Sequence, residues 1–143
     1  MSFSGARPVK LFTPPFISAA PAAGANGSYT TLSTMELRIL SLLFTVTTSA
    51  TVADRHVAIA FQSGGTEIFR INGGTFTASQ TWRQVFAPGI ESGSNANAFN
   101  AWRAIPDMWL PASAGIVTVV TGLQAGDQIG AFVIHAEGRP ATV

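Results

Sequence analysis

Apolar and polar positions alternate with a period of two along most of the chain from Glu36 onward, which is the spacing of half-buried strands. In Glu36–Thr47, Arg38, Leu40, Leu42, Phe44 and Val46 share one parity, and Leu37, Ile39, Ser41, Leu43, Thr45 and Thr47 share the other. The first set is largely apolar and the second turns polar toward its end, as in a strand leaving a buried region. Leu37, Leu40 and Phe44 would also suit a helix, but the Thr-rich, β-branched continuation through Thr51 favours a strand. Val57, Ile59 and Phe61 alternate in the next run, and Ser63-Gly64-Gly65 turns the chain into a short strand at Glu67–Ile71. Asn72-Gly73-Gly74 predicts a hairpin, because Asn-Gly accepts the positive φ of tight two-residue turns. Thr75–Phe86 is a further strand carrying Phe76, Trp82 and Phe86, and a loop is expected from Pro88 to about Asn100.

Two more β-like runs, Ile116–Thr121 and Gln128–Glu137, flank the turn-forming Gly122-Leu123-Gln124-Ala125-Gly126-Asp127 and are expected as neighbouring strands of one antiparallel sheet. Short strands at this spacing predict an all-β fold, an antiparallel sandwich or barrel. Residues 1–30 differ from the rest. Pro8, Pro14, Pro15 and Pro21 preclude regular helix, yet Phe3, Leu11, Phe12, Phe16 and Ile17 are apolar anchors that a simple tail would lack. This stretch is expected as an extended arm lying along a partner, ahead of a domain over 31–143, which should fold without it.

Composition sharpens the picture at one point. The chain of 143 residues is 47% hydrophobic but only 10% charged, against roughly 25% for typical soluble domains. So few ions predict that part of the exterior is covered by neighbouring subunits. The basic residues are arginines except for Lys10, and arginine suits protein interfaces better than lysine. A net charge of +1 provides no field to draw nucleic acid or anionic lipid, and no apolar run is long enough to span a bilayer as a helix.

Candidate chemistry is sparse. Without cysteine there is no thiolate nucleophile and no Cys-based metal site. Asp54 and Glu137 each lie two residues from a histidine, His56 and His135, so a metal cluster would form only if those two strands met. Single strand histidines are usually structural or exposed, so no metal or other cofactor is expected. Asp127 reads as a turn residue, and Asp54-Arg55 as an ion pair or cap at a strand's start. No nucleophile elbow and no phosphate-binding loop is present, so no catalytic activity is expected. Trp82, Trp102 and Trp109 are candidate core residues, of which Trp102 and Trp109, near prolines, are the better interface anchors.

Four segments in this order carry a likeness: Thr48–Phe61, Thr77–Trp82, Ile105–Pro111 (IPDMWLP) and Gly122–Ile129 (GLQAGDQI). Together they resemble small virion proteins of tailed bacteriophages, of the kind that decorate or cement the capsid. The resemblance implies a jelly-roll β-sandwich that assembles as a homodimer or homotrimer on the capsid exterior, bridging subunits of the major capsid protein. Arg7, Lys10, Leu11, Phe12, Pro14, Pro15, Phe16 and Ile17 of the arm would then hold the capsid. A carbohydrate- or receptor-binding module of a tail fibre is the alternative.

Overall fold

The computed structural model describes residues 8–11 and 15–141. Thirteen strands and no helix are found among them: β1 (Lys10–Leu11), β2 (Phe16–Ile17), β3 (Ser28–Thr30), β4 (Met35–Thr47), β5 (Arg55–Ser63), β6 (Thr66–Phe76), β7 (Thr81–Ala87), β8 (Gly93–Asn95), β9 (Asn100–Ala104), β10 (Trp109–Leu110), β11 (Ala114–Thr121), β12 (Gln128–Ile129) and β13 (Val133–Pro140). They form two sheets. The larger runs β1-β13-β4-β7-β9-β8, with β2 on β13 and both β10 and β12 on β4, and the smaller runs β3-β11-β5-β6. All pairs are antiparallel except β7 with β9. The inward faces meet in one core, including Leu37, Phe44, Phe86, Phe132 and Ile134 from one sheet and its loops and Ile59, Phe61, Phe76 and Ile116 from the other. The protein is thus an all-β sandwich.

Strand β4 shows why the parity read from the sequence is only half right. Leu42, Phe44 and Val46 are buried, as their set predicts, but nearer the start of the strand it is Leu37 and Ile39 that are buried. The register against β13 steps from Ser41↔His135 to Ile39↔Ala136, leaving Leu40 as an extra residue. This β-bulge shifts the side-chain alternation by one, so each half of the strand sends a different parity inward.

The glycines redistribute similarly. The β5–β6 hairpin turns at Gly64-Gly65 alone, both at positive φ, between the paired Ser63 and Thr66. The hairpin expected at Asn72-Gly73-Gly74 is absent. There, β6 continues pairing to Phe76, and Gly73 is the extra residue of a second bulge. A Cβ on Gly73 would stand 2.6 Å from Gln84 Oε1 on the facing sheet. Gln84 itself is fully buried, and neither amide atom has a hydrogen-bond partner. Removing an unsatisfied buried amide without changing volume favours folding. Gln84→Met is therefore expected to stabilise the protein by about 1–2 kcal/mol, read as a higher thermal midpoint. A lower midpoint would mean that an internal water completes the amide's bonds.

The two runs flanking residues 122–127 do not pair with each other. Strand β11 belongs to the small sheet and β13 to the large one, so the connector crosses the sandwich instead of closing a hairpin. The first part of the chain is also placed differently from expectation. Its described residues make three short strands and a turn at residues 22–25, and β1 and β2 pair with β13 while β3 pairs with β11. A boundary at residue 30 therefore falls inside the sandwich, because residues 15–30 supply strands to both sheets.

Candidate functional site

The structure places most of the residues singled out by the sequence. Arg7, Phe12 and Pro14 lie outside the described residues. Lys10 and Leu11 pair through their backbone with Gly138 and Glu137. Pro15 and Phe16 are half-buried, Phe16 beside the Tyr29 ring and against the core, whereas Ile17 is 66% exposed. His56 and His135 sit in opposite sheets with exposed side chains, hydrogen-bonded to Thr75 and Ser41 respectively. The strands that would have made a metal cluster do not meet, and no group of three potential ligands occurs among the described residues.

Trp82 is buried, stacked on Phe76, while Trp102 and Trp109 are half-buried. Trp109 is already occupied: the Arg139 guanidinium lies over its ring, 4.2 Å from the centroid. Trp102 rests against Gly93, where an added Cβ would come within 3.0 Å of the indole.

Trp102 and Trp109 belong to the outer face of the large sheet, which is organised in rows. Ile17, Val133, Leu43, Val85, Trp102 and Gly93 are successive cross-strand partners on β2, β13, β4, β7, β9 and β8. Their neighbours along each central strand, Ile134, Leu42, Phe44, Phe86 and Ala101, are buried, so this row points outward. It is an apolar stripe across the sheet. Beside it lies an ionic cluster: Arg38 holds Asp107 through two bonds of 2.6 and 2.8 Å and donates to Glu137, while Arg139 donates to Glu36. Bonding to Asp107 holds the Arg38 guanidinium above its ordinary pKa, and bonding to Arg38 holds the Asp107 carboxyl below the usual range. Arg38, Arg139, Asp107, Glu137 and Glu36 are thus paired within the chain, whereas Arg83, two residues from Val85 on the same face of β7, is exposed.

At one end of the sandwich is a feature that the sequence reading placed only in part. Arg55 and Asp127 are both fully buried, joined by bonds of 2.8 and 2.9 Å. Asp127 also accepts from the amides of Ser49 and Gln124, and Arg55 donates to Ser49 Oγ and the Ala53 carbonyl. Burial pushes the Asp127 carboxyl up, but these donors outweigh it and hold it well below the usual carboxylate range. Asp127 is the turn residue expected, whereas Arg55 bonds to it and not to Asp54. The signal was present in the pattern: Arg55 shares the parity of Val57, Ile59 and Phe61, and a charge on a core-facing position requires a buried partner.

The fold defines an all-β sandwich whose larger sheet carries a row of apolar side chains on its outer face. No protein-family model matches the chain, and no curated protein is significantly similar to it.

Proposed function

We propose that the protein is a structural component of a tailed-phage virion, a decoration or cement protein that stabilises the capsid lattice from outside. The observation that carries this reading is the strand order. Numbering β2 to β7, β11 and β13 one to eight in chain order, and setting aside the short β8, β9, β10 and β12 between them, the large sheet orders them first-eighth-third-sixth and the small sheet second-seventh-fourth-fifth. That order supports a jelly roll, an architecture common among capsid domains and lectins. The weakly charged exterior and the apolar stripe agree with a protein that works by docking. On this reading it binds the major capsid protein as a homodimer or homotrimer, and the exposed Val9 and Ile17 of the N-terminal segment meet the capsid. Each 100 Å² of apolar surface so covered contributes about 2.5 kcal/mol before ordering costs.

Capsid shells of the same virus are expected to co-sediment with the purified protein at fixed stoichiometry and to resist heating better with it bound. Shells that pellet without it would refute the proposal. The half-buried Trp102 indole favours one other reading, a sugar-binding module of a tail fibre. Glycan binding lost in Trp102→Ala, without capsid binding, would select it.

A further inference from the structure

We infer that the outer face of the large sheet carries a binding site for a carboxylate-bearing sugar, in which Arg83 takes the carboxylate and Trp102 the sugar ring. The inference rests on the sugar-binding reading of Trp102 and names its ligand class; it is independent of capsid binding.

The site is a polar row next to the apolar one. Arg83, Asn100 and Asn95 are successive cross-strand partners on β7, β9 and β8, and Trp102 follows two residues after Asn100 on β9. Trp82, Gln84 and Ala101 beside them in sequence are buried, so Arg83, Asn100 and Trp102 point outward together. Strands about 4.8 Å apart and a rise of about 3.3 Å per residue place the four backbone positions within about 10 Å of one another.

Three features define what this site accepts. The first is an excess of free donors. Among the described residues, the Arg83 guanidinium, the Asn100 amide and the Trp102 indole N–H have no partner in the chain. Asn95 engages only its Oδ1, with the amides of Asn97 and Ala98, and keeps its own donors. Guanidinium and indole groups donate and do not accept, so an oxygen-rich ligand fits, and a carboxylate matches the guanidinium fork with two parallel bonds. The second is the seat of the indole. It rests against Gly93, where an added Cβ would come within 3.0 Å, so the bare backbone of β8 lets the half-buried ring lie low on the sheet. Tryptophan joins an apolar face to a polar tip, as a sugar ring joins a C–H face to a rim of hydroxyls.

The third feature is the number of charges. Arg38 and Arg139 on the same face are engaged by Asp107, Glu137 and Glu36. The free Arg83 matches a ligand with a single carboxylate, whereas a nucleic acid draws its affinity from many phosphate contacts.

The full chain is tested on immobilised glycans ending in glucuronic, galacturonic or neuraminic acid, each beside its carboxyl-reduced neutral form, with single-stranded DNA and polyglutamate as further polyanions. At least one acidic glycan is expected to bind at least about tenfold more tightly than its reduced form. Arg83→Met should abolish that preference with the thermal midpoint retained, since Arg83 is exposed. Trp102→Ala should weaken both forms, and Arg70→Met, on the opposite sheet, should change neither. Equal binding of acidic and reduced glycans, or a preference that survives Arg83→Met, would overturn the inference and leave Trp102 as a neutral-sugar site. Equally tight binding of DNA or polyglutamate would overturn it in favour of a general polyanion surface. Binding of no glycan would overturn both the inference and the sugar-binding reading. Capsid co-sedimentation enters none of these outcomes.

Discussion

Asp127→Ala is expected to destabilise the protein by about 3–5 kcal/mol, because removing one member of a buried ion pair strands the other charge in the core. At this chain length that corresponds to a fall of about 10–20 °C in the thermal midpoint. The loss should exceed that of an ordinary turn residue. The substitution leaves the buried Arg55 guanidinium without its carboxylate and also orphans the amides of Ser49 and Gln124. Arg55→Met should cost less, since those two amides still satisfy the remaining carboxylate. The effect has a pH signature. The Asp127 carboxyl is held below its unfolded value of about 3.9. Its contribution is therefore fully present above about pH 4 and is lost as the pH falls through the folded value. Unfolding curves of wild type and Asp127→Asn should converge on acidification. A constant gap between them would show that the pair is not the source.

Deletion of residues 1–30 is expected to abolish cooperative folding or to lower the midpoint by more than about 10 °C, contrary to the separable arm that the prolines alone suggested. This segment completes both sheets. Gly27 exchanges bonds with Thr118, Ser18 Oγ accepts from the Phe132 amide, and the Pro21 carbonyl accepts from Gln128. Asn26 Oδ1 accepts from Thr118 and Val120, while Phe16 and Tyr29 pack on the core. Losing several such bonds at roughly 0.5–1.5 kcal/mol each, together with two aromatic contacts, approaches the whole stability of a domain. A truncated chain with an unchanged melting curve would restore the arm as an independent part. Tests of capsid contact by this segment should accordingly use substitutions at exposed positions such as Ile17, and not deletion.

Where the sequence reading succeeded, the information was local. Val57, Ile59 and Phe61 alternate because a pleated strand has a side-chain period of two, and Gly64-Gly65 turns because positive φ costs glycine little. Where it failed, the deciding term was a distant partner. Nothing within a few residues of Leu40 marks it as a bulge, since the extra residue exists only relative to β13, some ninety positions later in the chain. Asn72-Gly73-Gly74 has the composition of a hairpin, but β5 keeps offering pairing groups as far as Arg55, so β6 runs on through it. The stripe from Ile17 to Trp102 is likewise invisible in sequence, because its members come from five separate strands and become neighbours only through register.

The chain by itself determined its class: strand periodicity, turn glycines and scarce ions dictate an all-β sandwich with a weakly charged exterior. Only the tertiary structure decided which strands adjoin, which half of β4 points inward, and that Arg55 meets Asp127 in the core. Alternation and turn chemistry are set by bonds and sterics within a few residues, whereas sheet order and ion pairing depend on burial summed over segments far apart in the chain.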